Sequence, residues 1–263
     1  MNIPEIILTA AFFWTGAVIG SFLDCMAWRM VHAEAAGKTR SVCDKCGRTL
    51  HFADLIPIVS YLIFRGRCRY CGERISIRHP VCEILTGLVF SLGYAFLGPG
   101  PAFVKLLALC VLILPPALID IETKTVPNVF FVLLALVRAA ILPFEEDRVR
   151  IMIDAALGGV GIPLCLLAIS LIMKKAVGRD CLGLGDIKLL FAIGLYLGFY
   201  RSLLNVVLMS LLGLATAFLR RDKTDRAFAF VPAIGLSTVI CQVCGGVLIK
   251  TYFGLFGLEA VIV

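Results

Sequence analysis

The stretch CLGLGDIKLLFAIGLYLGFY (residues 181–200) sets a carboxylate, Asp186, between a glycine pair and an apolar run. Gly183 and Gly185 precede the acid and Lys188 follows it by two positions. Past Lys188 the sequence is apolar for long enough to enter a bilayer, and an ionisable residue at the edge of such a run is costly and often functional.

Working outward, the rest of the chain has the same character. Of 263 residues, 60% are hydrophobic and 16% charged, with a mean hydropathy of +0.97. A soluble domain carries roughly a quarter charged residues, and a bilayer-spanning helix needs about 20 apolar ones. The reading is an all-α polytopic membrane protein of about eight transmembrane helices. The spans fall near 4–28, 80–98, 102–120, 127–144, 151–173, 187–200, 201–219 and 228–254.

Charge orients them. Residues 29–79 hold ten Lys/Arg against four Asp/Glu, while 174–188 and 220–226 are each net +2. Eight alternating spans put these stretches and DIETKTVPN (120–128) on one face, and the acidic FEEDRVR (144–150) on the other. By the positive-inside rule the basic face is cytoplasmic and both termini lie outside. Glu5 precedes the first apolar run and Arg29 follows it, the reverse of a cleaved secretory signal. Basic loops beside spans suit anionic lipid; nucleic acid is not expected as a partner.

The long polar segment carries two C-x-x-C pairs, Cys43 with Cys46 and Cys68 with Cys71. Two thiolates spaced by two residues grip a metal from one tight turn, and the spacing between the pairs matches a zinc ribbon. Gly47 and Gly72 follow each pair, where such turns need backbone freedom. Disulfides or redox dithiols are the alternatives, and a cytoplasmic face disfavours stable disulfides. A structural zinc is therefore expected on these four cysteines. CQVC (241–244) lies within the last span and reads as helix packing.

Asp120 ends the third span and Asp186 opens the sixth, both at the cytoplasmic boundary. If they meet, the two carboxylates share a proton, so that one serves as base and the other as acid. That pair activates water against a peptide carbonyl. Taken singly, each aspartate also reads as a solvated interfacial cap. Glu83 reads as a partner of Arg78 or a headgroup contact, Asp24 and Arg29 as a pair within or between helices, and Asp154 as a helix-start or functional carboxylate. A secondary transporter using Asp186 as an ion site is the alternative function, and a zinc-bearing scaffold without catalysis a third.

Together, GAVIGSFLDCMAWRM, CDKCG, DLIPIVSYLIFRGRCRYCG, ISIRHPVCEILTG, IDIETKTVPN and GLGDIK resemble the bacterial type IV prepilin peptidases, membrane aspartic proteases of the GxGD type. The resemblance implies that Asp120 and Asp186 form the catalytic dyad, with Gly183, Gly185 and Lys188 as supporting motif positions. It implies removal of the basic leader from type IV prepilins and pseudopilins at the inner membrane's cytoplasmic face. It also implies N-methylation of the new amino terminus with S-adenosylmethionine, associated with the cysteine loop and amino-terminal region. The implied division is a first transmembrane helix over 1–30, a cytoplasmic zinc-binding loop over 31–79, and a seven-helix membrane peptidase domain over 80–263. Asp24 stands where family members usually carry asparagine. Glu122 and Asp180 are candidates for attracting the basic leader.

Overall fold

The computed structural model describes residues 3–32, 40–43, 45–178, 182–219 and 229–255. Asp180, Cys181 and the basic run 220–226 lie outside the described residues. Nine α-helices are described: α1 (Ile3–Val31), α2 (Val59–Ile63), α3 (Arg78–Leu97), α4 (Pro101–Thr123), α5 (Asn128–Ile141), α6 (Arg148–Ala156), α7 (Ile162–Val177), α8 (Leu184–Leu219) and α9 (Val231–Leu255). Among the described residues the only β pairing is two isolated bridges, Val42 with Thr49 and Arg67 with Arg74. The chain is an all-α integral membrane protein: six helical stretches are long and apolar enough to cross a bilayer, and 128–144 is a shorter apolar one. Contacts divide it into two units, Met1–Gly98 and Pro99–Val263.

In the first unit α1 packs along α3 through small residues. A Cβ on Gly20 would meet the Thr86 hydroxyl at 2.6 Å, and one on Gly87 the Phe13 carbonyl oxygen at 2.9 Å. Between apolar helices there is little hydrophobic force left to gain, so close backbone approach supplies the attraction. The polar segment between them folds as two knuckles and a short helix. Ile58 adopts φ 62°, ψ −50°, and Val59 N–H donates to the Pro57 carbonyl at 2.5 Å. This is a γ-turn of the rarer hand, strained for a β-branched residue. Glu83, 7% exposed, holds it by accepting the Ile58 N–H at 2.7 Å. The sequence-based expectation for Glu83 is thereby corrected: its partner is a backbone amide. Arg78 instead pairs with Asp24 at 2.7 Å, which corrects the expected Asp24–Arg29 pair as well. The carboxylate buried at the α1–α3 seam takes the Arg78 guanidinium and the His79 imidazole at the start of α3.

In the second unit one helix departs from its expected boundaries. The sequence is mostly apolar through 184–219, yet Gly198 has φ 72°, ψ −174°, and the helix breaks there. The Arg138 Nε–H bonds the Leu195 carbonyl, Gly245 lies against Arg201, and Gly213 lies against Phe230 just ahead of α9. The two halves, 184–197 and 199–219, thus run antiparallel, and the chain reverses at Gly198. Counting both halves and the 128–144 helix gives eight helical segments. The expected boundary at 200–201 moves to Gly198, because only glycine readily enters this backbone region, while Arg201, the nearest charge, lies three residues past it.

Asp154 makes the reversal possible. Its Oδ1 accepts the Phe199 N–H at 2.9 Å, capping the helix that restarts there. A π-helical turn over Leu157–Gly161 brings Gly158 so close that a Cβ on it would meet the Gly198 carbonyl carbon at 2.5 Å. Polar groups inside the unit are matched: Tyr196 OH donates to the Leu134 carbonyl at 2.7 Å, and Ser237 to Asn205 Oδ1 at 2.5 Å. Such bonds satisfy groups that lipid cannot.

Candidate functional site

Asp120 lies three residues before the end of α4 and is 5% exposed. Pro115 and Pro116, one turn earlier in the same helix, remove two amide donors and loosen the backbone ladder there. The Asp120 Oδ2 accepts the Val231 N–H at 3.0 Å. Val231 is the first residue of α9, so the carboxylate sits at a helix N-terminus, where free amides and the helix dipole favour negative charge. After Asp120 the chain turns out of α4 through Lys124 in the left-handed region, φ 56°.

Asp186 stands in the first turn of α8 and is half-buried. It accepts a hydrogen bond from the Gly183 amide and lies within Coulombic reach of Asp120. The fold thus brings together two carboxylates that are far apart in sequence, at one end of the second unit. A Cβ on Gly183 would crowd the Asp186 Oδ2 at 3.1 Å, whereas one on Gly185 would rest against Val126 at an ordinary 3.5 Å. Lys188 Nζ donates to the Asn128 side-chain carbonyl at 3.2 Å, tying the start of α8 to the start of α5. Glu122 is exposed at the end of α4.

What sequence reasoning left unassigned here is the Phe230–Val231 amide pair that receives Asp120. Backbone donors carry no residue signature, although Pro232 directly after them marks a helix start. Two concavities, of about 1040 and 310 Å³, lie toward the other end of this unit, lined among others by Glu145, Asp154 and Arg201.

In the first unit the four cysteines converge. Their sulfur atoms all lie within 4.8 Å of one another, with Cys43 and Cys71 at 3.9 Å. Gly47 and Gly72 have φ 67° and 73°, and each donates its N–H to the carbonyl of the first cysteine of its pair. The Cys71 and Tyr70 amides aimed at the Cys68 sulfur bring that thiol down to about 7, as a thiolate ligand requires. Four such sulfurs can hold a metal ion. Asp54 braces the cluster: burial pushes its carboxyl up, but hydrogen bonds from the His51 amide and Tyr70 hydroxyl, with the Arg69 charge, outweigh that and hold it below the usual range.

The fold and these clusters describe an integral membrane protein with a four-cysteine cluster able to hold a metal ion in one unit and two neighbouring carboxylates in the other. Comparison with known proteins agrees with that division. The Bacterial Peptidase A24 N-terminal domain model matches residues 14–97, and the Type IV leader peptidase family model matches 104–218. Three relatives bear the name prepilin leader peptidase/N-methyltransferase. That of Myxococcus xanthus is 34% identical over 82% of this chain and 64% of its own length. That of Neisseria gonorrhoeae is 33% identical over 76% of this chain and 69% of its own. That of Bacillus subtilis is 31% identical over 91% and 96%. No solved structure matches. The chain belongs to the type IV leader peptidase family.

Proposed function

We propose that this chain is an aspartic endopeptidase that removes the basic leader from type IV prepilins and pseudopilins at the cytoplasmic face of the bacterial inner membrane. One observation carries the reading: α4 and α8 bring Asp120 and Asp186 within electrostatic reach of each other at one end of the peptidase unit. One carboxylate accepts a proton from water as the water attacks the scissile carbonyl. The other, protonated, supplies a proton to the carbonyl oxygen and then to the departing amine. The α9 amides hold Asp120 in place through the cycle, and the substrate's apolar segment lies along the membrane helices beside it.

The positive-inside rule supports a cytoplasmic position for this end and outside termini, with anionic lipid as the neighbour that basic loops attract. The relatives' names support a second activity, methylation of the new amino terminus with S-adenosylmethionine as methyl donor. Zinc is the ion assigned to Cys43, Cys46, Cys68 and Cys71: Zn–S bonds of about 2.3 Å give a tetrahedron with edges of about 3.8 Å, close to the 3.9 Å between Cys43 and Cys71. The ion fastens the two knuckles, and the cleavage chemistry draws nothing from it. The transport alternative fits less well, since transporter sites lie near the midplane of repeated halves and these carboxylates sit at a helix end.

The test is leader removal from a co-expressed prepilin by wild type, Asp120→Asn and Asp186→Asn. Both variants should lose cleavage, by at least about 1000-fold if each carboxylate supplies a proton-transfer step, at unchanged membrane expression. Cleavage surviving in either variant removes that residue from the dyad.

A further inference from the structure

The first unit contains an ionisable cluster that cleavage does not use. Asp24, in α1, is 1% exposed. Its Oδ1 accepts the Arg78 Nε–H at 2.7 Å, and its Oδ2 bonds His79 Nδ1. His79 is 41% exposed at the side chain, against 2% for Asp24. Asp24 from α1 bonds the imidazole, and Arg78 shares that carboxylate; Cys82, one turn further along α3, lies within reach of the charges of Asp24, Arg78 and Glu83.

A carboxylate with both oxygens engaged and almost no solvent acts as an acceptor for the ring. It keeps the proton on His79 Nδ1 and so makes Nε2 the basic nitrogen. A buried carboxylate that orients a half-exposed imidazole is the arrangement by which a histidine serves as general base.

From this geometry we infer that His79 is the general base of the methyl-transfer reaction, with Asp24 as its positioning residue. The inference rests on the methyltransferase reading given above. Two activities appear in the relatives' names, and the peptidase model covers the unit that holds the aspartates. The unit with the Asp24–His79 pair is matched by a separate model and has no part in the proposed cleavage.

The chemistry needs such a group. The amino terminus exposed by cleavage is an ammonium with an unperturbed pKa of about 7.7–8.0, and in that form it has no lone pair to offer. His79 Nε2 takes one proton from it. The amine lone pair then forms a bond to the methyl carbon of a sulfonium donor, while the carbon–sulfur bond breaks and leaves its electron pair on sulfur. The products are a secondary ammonium, a neutral thioether and a protonated His79, which returns its proton to water.

The test uses full-length protein in lipid nanodiscs with a prepilin and S-adenosylmethionine, scoring leader loss and methyl gain separately by mass spectrometry from pH 6.5 to 9. His79→Gln should cleave like wild type. At pH 7 it should methylate about tenfold more slowly, since only about a tenth of the amine is then neutral without a base. By pH 9, where solvent has deprotonated the amine, its rate should rejoin wild type. Asp24→Asn should shift the pH profile of methylation in the same direction without touching cleavage. Wild-type methylation by His79→Gln at pH 7 overturns the inference, and so does a loss that persists undiminished at pH 9, which marks a structural defect. A wild type that cleaves without methylating overturns the methyltransferase reading, and the inference with it.

Discussion

Glu145 shows how much one buried side chain can organise. It lies beyond α5, with Lys105 at 2.6 Å and Arg138 at 2.7 Å on its two oxygens. Burial pushes its carboxyl up, but the bonds and charges of Lys105 and Arg138 outweigh that and hold it below the usual glutamate range. A folded value below the unfolded one, about 4.3, stabilises the protein above that pH. This contribution is lost as pH falls through the folded value. Wild type should therefore lose thermal stability in detergent below about pH 4.3. Glu145→Gln should be less stable at pH 7 by about 3 kcal/mol, because buried Arg138 and partly buried Lys105 lose their partner, and should show a flatter acid limb. Equal acid sensitivity in both proteins would take Glu145 out of the acid transition. At this scale the sequence was informative where chemistry names a residue type, as with Asp120, Asp186 and the cysteines. It was silent on pairing: Asp24 could be seen as a charge near a helix end, but Arg78 and His79 are far along the chain and only the fold selects them over Arg29.

Among the elements, α8 departs furthest from what its sequence suggests. Apolar periodicity identifies a membrane segment, yet the reversal is written in one glycine whose backbone angle a hydropathy profile does not register. Gly198 needs φ 72°, and a Cβ there would collide with the Asp154 carboxylate that caps the next helix. Gly198→Ala should cost roughly 1–2 kcal/mol from the backbone alone, with the displaced cap adding about 1 kcal/mol. A thermal-shift assay on purified protein should show the loss, and Asp154→Ala should reproduce the smaller part of it. Full stability in both variants would mean that the turn is held by other contacts. The π-helical turn was equally invisible, because a glycine pair inside an apolar run carries no sign of it, whereas in the fold Gly158 and Gly159 give close contact with α8.

For the whole molecule, composition and loop charge were enough to give the class and the number of segments, since bilayer thickness leaves a chain little choice. The two-unit division corresponds to separable demands on the sequence. The unit Met1–Gly98 holds the cysteine cluster in its polar segment, while Pro99–Val263 contains both aspartates. Chelation, or Cys43→Ser with Cys68→Ser, should thus lower bound zinc and speed proteolysis of residues 40–77. Cleavage should change less than by loss of either aspartate. Protein purified without chelator and holding no zinc would defeat that expectation.

The turn at Gly198 also bears on how the chain is made. The segment 184–197 is about 21 Å long, short of the roughly 30 Å hydrocarbon core, and it carries Asp186 and Lys188 at its start. No polar loop separates it from 199–219, so the insertion machinery meets one continuous apolar stretch with Arg201 just past the bend. The two halves must partition as a hairpin while the bend crosses the bilayer, and Arg201 and Asn205 are then covered by α9. Asp186 then reaches its final depth together with residues 199–219, so its approach to Asp120 waits on the whole hairpin.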